Sequence, residues 1–396
     1  MNLETDLQAM FSPAAHANPF PLYEAVRRHG SVLPMPQWNT NFVLSLEAVQ
    51  KVFRLPSVSA DRMGGMAQLE RTASMNLLRN MMLFHDGANH ARLRGLVSSA
   101  FTPRAVEETR DFIAVTVKQL LEQHERHGGN FVKNVAVPLP LLVILELLGV
   151  SDTERDNLKR WSESVAALFD GGSMNEERFP AIEKDITDLQ AYFRDIADEL
   201  RAKPRPGVLS AMANSEGGAL SSDELLANAA LLMVAGHETT TNLLSGAMLE
   251  FARQPEAWQS LLEHPEWVGN CVEELLRIVS PVTLTDRVLT APLELNGVTM
   301  QPGGVSLMLA AANRDPQHFE NPAQLIPNRS NAKDHVAFAV GAHYCLGAPL
   351  ARLEAKVFLD VMLEHYPQFR VNQASAMYRE NVSLRGLNML EVQLQT

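Results

Sequence analysis

Two groups of residues in this sequence are of types and spacings that could do chemistry. The first surrounds Cys345, in the run Phe338-Ala339-Val340-Gly341-Ala342-His343-Tyr344-Cys345-Leu346-Gly347. A helix is expected to start at Ala348-Pro349, where proline suits the first turn. Cys345 would then precede a helix N-terminus, whose unpaired N–H groups and positive dipole end favour a thiolate, the form of cysteine that ligates metals. The second group is Ala235-Gly236-His237-Glu238-Thr239-Thr240-Thr241, an acid beside an alcohol inside a long helical pattern. His237-Glu238 could open a zinc-binding H-E-x-x-H helix, but position 241 is Thr, so that face lacks its second ligand and zinc is rejected. A lone cysteine is more often a small core residue than a ligand. Cys271, on an apolar helix one turn from Glu274, is assigned to the core on that ground.

The elements that must position these groups are mostly helical. Apolar residues recur at helical spacing over Pro21–His29, Pro103–His124, Asp152–Leu168, Phe179–Arg201, Ser222–Arg253, Glu266–Val279 and Ala348–His365. The most apolar run, Val135–Leu145, contains Pro138 and Pro140, meets Glu146 and falls short of the roughly 20 residues a membrane span needs. It is expected to be a buried helix. Strand patterns are confined to Phe42–Leu44, Leu293–Met300, Val305–Leu309 and Met389–Leu394. Ser221 and Glu224 form a capping box for the longest helix, which is apolar nearly all round and so belongs in the centre of the fold. Its Gly236 and threonines predict a local distortion beside Glu238. No repeat or linker-like tract divides the chain, so residues 1–396 are expected to form one domain, mainly α with a small β-sheet region.

The Cys345 run matches the pattern F-x-x-G-x-x-x-C-x-G, and on it the chain resembles the bacterial cytochromes P-450. Further segments carry the same resemblance: Glu274 and Arg277 as E-x-x-R, Arg329 in Pro327-Asn328-Arg329, Ala311–Pro316 with Phe319, and His90-Ala91-Arg92-Leu93-Arg94 followed by Ala100–Arg104. Two departures stand out. Ala339 occupies a position where most members have glycine, suggesting a less strained or shifted turn, and Gly87-Ala88-Asn89 replaces the usual P-P-E.

The resemblance implies a soluble haem-thiolate monooxygenase of the P-450 fold, with a long central helix. It implies haem b (iron protoporphyrin IX) with Cys345 as axial iron ligand, and His90, Arg94, Arg287 and His343 as partners of the haem propionates. Gly341 and Gly347 would let the backbone lie against the macrocycle. Glu238 and Thr239 would be the acid-alcohol pair serving the oxygen site, and Glu274, Arg277 and Arg329 a structural network. A substrate pocket drawn from Met81, Met82, Leu231, Ala235, Val282, Leu284 and Leu384 is expected, near the Met-rich stretch Met63–Phe84. The substrate would be hydrophobic, foremost a polyketide or macrolide of secondary metabolism, with fatty-acyl, terpenoid or steroid compounds as alternatives.

No flavin, nicotinamide or iron-sulfur motif occurs in the chain, so electrons from NAD(P)H are expected through a ferredoxin or flavodoxin with its reductase. Arg92, Arg104, Arg352 and Lys356 could form its docking patch, or be ordinary solvated charges. A haem-binding sensor or recruiting protein without oxygenase activity is the alternative from another class, and loss of Cys345 or of the acid-alcohol pair would favour it. A peroxide-driven enzyme would lack Glu238-Thr239.

Charge and cysteine content set limits. With 34 Lys and Arg against 46 Asp and Glu, the formal charge of −12 disfavours nucleic acid and anionic membrane surfaces. The two cysteines cannot make a disulfide framework. The N-terminus carries neither a basic nor an apolar export signal, so a cytoplasmic monomer is expected.

Overall fold

The computed structural model describes residues 2–12, 15–63, 72–169, 177–215 and 220–395. Its centre is the helix Ser222–Arg253, which begins at the Ser221–Glu224 capping box and is buried on nearly every side. A helix of that length so apolar can only be stable with partners all round it. It packs against Pro138–Leu148, Arg155–Phe169, Phe179–Ala202, Val268–Val279 and Ala348–His365. A Cβ on Gly246 would stand 2.5 Å from a Val279 methyl, so the close approach of the central helix to Val268–Val279 requires glycine there.

Five short strands form the main sheet in the order Val32–Met35, Thr40–Val43, Gly303–Leu307, Thr285–Leu289 and Val58–Ser59. Thr40–Val43 runs parallel to Gly303–Leu307, and the other pairings are antiparallel. Leu293–Leu295 and Val298–Met300 form a hairpin. Gln368–Tyr378 pairs with Leu387–Gln395 in a second ribbon. The molecule is therefore mainly helical with small sheets, as the periodicity implies.

Several boundaries differ from the sequence expectation. Pro103–His124 is two helices, Pro103–Glu107 and Arg110–His127, because the Thr109 hydroxyl donates to the Val106 carbonyl and Thr109 restarts the chain as an N-cap. The expected distortion of the central helix is absent, since Ser222–Arg253 runs unbroken and the Thr239 hydroxyl donates back to the Ala235 carbonyl at 2.8 Å. A π-helical turn occurs instead at Val132–Ala136, leading into the proline-containing helix Pro138–Leu148. Among the described residues, no helix is long and apolar enough to cross a membrane.

Candidate active site

Cys345 opens onto a cavity of about 1410 Å³, counting its mouth. The central helix supplies Leu231, Leu232, Ala235, Gly236 and Thr239 to its lining, the Cys345 loop supplies Phe338, Ala339, His343 and Gly347, and His90, Arg94 and Arg287 reach it from other elements. Residues 255 positions apart in sequence, His90 and Cys345, thus share one space. The loop is held shut by the Cys345 N–H, which donates to the Phe338 carbonyl at 2.9 Å. Gly341 has φ +78°, and a Cβ there would lie 3.2 Å from the Phe53 carbonyl. Its glycine is thus required by the backbone of a neighbouring segment, not by a macrocycle. Nothing stands within 4 Å of a Cβ built on Gly347, so the backbone there faces open cavity. Ala339 adopts φ +57°. The turn is left-handed despite the missing glycine, and the strain has not been relieved as the substitution suggested.

The electrostatics of Cys345 correct one expectation. Burial pushes its thiol up, and the N–H groups of Gly347 and Ala348 with the charges of Arg94 and Arg352 offset that only in part. The helix end alone does not make a thiolate here. A bound cation would, since a coordinating thiol is deprotonated outright.

The four polar residues near Cys345 are two cations, Arg94 and Arg287, and two imidazoles, His90 and His343. The His90 and His343 rings lie 4.1 Å apart, centroid to centroid. Burial, then each ring's cationic neighbours, holds both imidazoles below their ordinary value, His343 at about 4. His343 Nε2 is buried with no hydrogen-bond partner, although Asp86 Oδ1 lies 3.4 Å away. Arg287 is 6% exposed, donates only to Thr285 Oγ1 and the Asp286 carbonyl, and has its pKa lowered to about 10 by burial and by Arg62. Arg94 donates to the Tyr344 carbonyl at 2.8 Å. Buried cations without a carboxylate partner are unfavourable, so this set is complementary to an anionic group entering the cavity. A soft sulfur ligand, the open backbone at Gly347 and the buried Arg287 with Arg94 and the two imidazoles beside it together fit an iron porphyrin with its two carboxylates.

Glu238 does not face the cavity. It is 1% exposed and accepts a hydrogen bond from Arg379 Nη1, while Thr239, the next residue, lines the cavity. Burial acts to raise the Glu238 carboxyl, but His237 and Arg379 bring it below its usual value. Arg379 had no signal in the sequence, lying 141 residues from Glu238 at the end of a ribbon strand. Glu354, also unanticipated, lines the cavity fully buried, with Oε2 unpartnered and its carboxyl raised well above the ordinary value by burial.

Glu274, Arg277 and Arg329 meet in one buried cluster. Glu274 receives Arg277 at 2.7 and 2.8 Å and Arg329 at 2.8 Å, and all three are buried. The remaining guanidinium donors reach carbonyls of residues 313–324. A second cluster, not anticipated, joins Glu273 to Arg352 at 2.7 Å and to His335 at 3.1 Å, and Arg352 stacks over Phe338. Cys271 is fully buried core.

The substrate-facing residues divide. Met82, Leu231, Ala235 and Val282 line the cavity, whereas Met81, Leu284 and Leu384 are not in its lining. Met81 is wholly buried in the main core. Leu284 packs in the N-terminal cluster with Tyr23 and Phe42, because the strand Thr285–Leu289 carries it away. Leu384 pairs with Val282 through an isolated β-bridge and packs on the core. Met66 lies outside the described residues. Of the residues considered for docking, Arg92 pairs with Glu224, Arg352 with Glu273 and Lys356 with Asp360, while Arg104 is exposed. Among the described residues, no cluster of three or more His, Cys, Asp or Glu is arranged for a metal.

The family model described as Cytochrome P450 matches residues 166–384. The biotin biosynthesis cytochrome P450 of Bacillus subtilis (strain 168) is 33% identical over 392 residues, covering 95% of this chain and 96% of that one. The polyketide biosynthesis cytochrome P450 PksS of the same strain is 35% identical over 333 residues, covering 82% and 80%. A crystal structure of P450BioI in complex with hexadec-9Z-enoic acid ligated acyl carrier protein superposes with a TM-score of 0.90 at 30% identity, covering 96% of this chain and 100% of that one.

Proposed function

Because the chain belongs to the cytochrome P450 family, we propose that it inserts one oxygen atom from O2 into a hydrophobic small molecule held beside an iron that Cys345 ligates. The enzyme is a monooxygenase that uses haem b, with electrons supplied by NAD(P)H through a redox partner. When bound, the haem supplies oxygen activation, for which thiolate ligation favours O–O cleavage. The chain's own residues do the rest. Cys345 would hold the iron, and Gly347 would leave room beside it. His90, Arg94, Arg287 and His343 would hold the propionates. Thr239 presents a hydroxyl to the oxygen site, Glu238 supplies it with protons, and the apolar lining excludes water. A ferredoxin or flavodoxin with its reductase, a cytoplasmic setting, a monomeric state and a single domain over residues 1–396 belong to the same reading.

The observation that carries it is Arg287, a buried cation with no carboxylate hydrogen bond among the described residues, in one cavity with a thiol at a helix start. The test is the ferrous carbon monoxide spectrum, in which thiolate ligation gives a strongly red-shifted band. Cys345→Ser is expected to abolish that band, and a variant that kept it would exclude Cys345 as the ligand.

For substrate, a polyketide or macrolide is proposed, supported by the apolar lining of Met82, Leu83, Ile144 and Leu231 and by the likeness to PksS. A fatty-acyl chain is the second reading, favoured by the likeness to the P450BioI complex with its acyl-loaded carrier. Spectral titration of the ferric enzyme with macrolide precursors, free C16 acids and the same acids on an acyl carrier protein separates them. Only the true class is expected to displace the sixth ligand at micromolar concentration.

A further inference from the structure

Glu238 is clamped at one oxygen and open at the other. Arg379 Nη1 donates to Oε2, while Oε1 is buried with no hydrogen-bond partner. His237 Nδ1 stands 3.6 Å from that free oxygen and 3.2 Å from Ser162 Oγ. The ring is 1% exposed, and its Nε2 is unpartnered by hydrogen-bond geometry, with the Val137 carbonyl close enough to favour a protonated ring. Val137 also lines a second cavity, polar in character, with Lys133, Asn134, Arg155 and Lys159. Lys159 lies one turn before Ser162 on the same helix, and its charge acts on both His237 and Glu238. His237 therefore stands between a polar cavity on one side and the acid of the oxygen site on the other.

We propose that His237 is a proton relay carrying protons from the polar cavity at Val137 and Lys159 to the free Oε1 of Glu238. This rests on the reading of Glu238 as the acid that serves the oxygen site. A solvent proton adds at Nε2 to give an imidazolium, and the Nδ1 proton then passes to Oε1. The carboxylate becomes a carboxylic acid, the ring is neutral again, and no electrons move. The tautomer resets when the Nε2 proton returns to solvent and Nδ1 takes up a proton through the Ser162 hydroxyl, 3.2 Å from it.

The resting charges suit this. Burial holds His237 below the ordinary imidazole value, Glu238 opposes that shift, and Arg379 and Lys159 reinforce it. Glu238 itself is held ionised, so a neutral ring faces an anionic acceptor, and the ring charges only in passing. Ser162 and the Val137 carbonyl complete the polar surroundings of the ring.

The experiment compares His237→Gln and Glu238→Gln holoenzymes, with substrate affinity and the ferrous carbon monoxide band as controls. Glutamine at 237 can hydrogen-bond but cannot carry a proton through. Both substitutions are expected to lower turnover about 100-fold, the lower end for general acid catalysis, and to raise the solvent deuterium isotope effect. A large loss in Glu238→Gln with none in His237→Gln overturns the relay and leaves the acid standing. No loss in either overturns both. A second readout needs no turnover and no change at His237. In the ferrous carbon monoxide protein, 15N-histidine spectra are expected to show a neutral ring with a proton on Nδ1. Its titration is expected to rise in pH when Lys159→Gln removes the neighbouring charge. A ring fixed with Nδ1 unprotonated at every pH overturns the proposal.

Discussion

The two sides of the cavity handle polar groups in opposite ways. Behind the Cys345 loop, both Glu274 oxygens, both arginines that reach it and the Glu273–Arg352–His335 cluster are all engaged, several of them bidentately, with His343 Nε2 and Glu354 Oε2 as the exceptions. Along the central helix, Glu238 Oε1, His237 Nε2, Thr241 Oγ1 and both amide atoms of Asn242 are buried without a partner. Each such atom costs roughly 1–3 kcal/mol, so a fold selected for stability alone would not gather five in one place. The contrast separates placement from transfer. On the proposed function, a ligand sulfur at Cys345 must sit still, and saturated ion pairs hold its loop; groups that pass protons need free lone pairs, and the central helix would supply them.

If that division holds, damage to the first side should show as loss of protein and damage to the second as loss of chemistry. The largest effect is expected from Arg277→Ala, which leaves the Glu274 carboxylate short of its best partner in a fully buried site. Breaking such a pair costs about 3–5 kcal/mol, so expression should yield little folded haem protein, measured by the ratio of haem to protein absorbance. Thr239→Ala should do the reverse. Its hydroxyl bonds only within its own helix, so folding and substrate affinity should survive. Product formation should fall about 100-fold, the lower end for general acid assistance and about 2.7 kcal/mol of barrier, while NAD(P)H oxidation continues and peroxide is released. Unchanged product per NAD(P)H would show that Thr239 only braces the helix.

The same division marks what the sequence could reveal. Cys345, the E-x-x-R pair and Arg329 were legible through the family resemblance, whose motifs are short local runs, and the capping box at Ser221 marked the start of the central helix. Arg379, Glu354 and the polar cavity at Lys159 were not, because they depend on where a ribbon and three helices meet, and local spacing carries no trace of that. The resemblance misled at Leu284, which packs in the N-terminal cluster with Tyr23 and Phe42. At the threonines after Gly236, where a local distortion is expected, Ser222–Arg253 stays helical throughout, with the Thr239 hydroxyl bonded back to the Ala235 carbonyl.

A smaller effect probes the Cys345 side by pH. Burial works to raise the Glu273 carboxyl, but His335 and Arg352 hold it at about 2, below its usual 4.5. A carboxyl depressed in the folded state contributes stability fully above its unfolded value and loses it as the pH falls through its folded value. The contribution is thus expected intact above pH 4.5, shrinking toward pH 2, and worth about 2 kcal/mol at neutrality once solvent screening is taken from a full linkage value of roughly 3 kcal/mol. In denaturant titrations Glu273→Gln should be less stable than the parent at pH 7, with the gap closing below pH 4.5. A gap that stays constant with pH would mean that the cluster acts by packing, through Arg352 over Phe338, and not by charge.

The smallest effect tests whether the Cys345 loop is wholly at rest. Ala339 sits at φ +57°, within a turn closed by the Ala339 N–H to Val336 carbonyl bond at 2.9 Å. A left-handed conformation costs an L-residue roughly 1–2 kcal/mol, and glycine would remove that while adding about 0.4–1 kcal/mol of unfolded-state freedom. The net expectation for Ala339→Gly is a gain of up to about 1 kcal/mol, read as a higher denaturation midpoint of the holoprotein with an unchanged carbon monoxide band. The methyl lines the cavity beside Cys345, however, so it also has a face toward the space where a macrocycle would lie. Should Ala339→Gly lose stability only in the haem-loaded protein while the haem-free protein gains, the strain is offset by contact with the cofactor. The Cys345 side would then hold one feature that, like the free oxygen of Glu238, makes sense only when the site is filled.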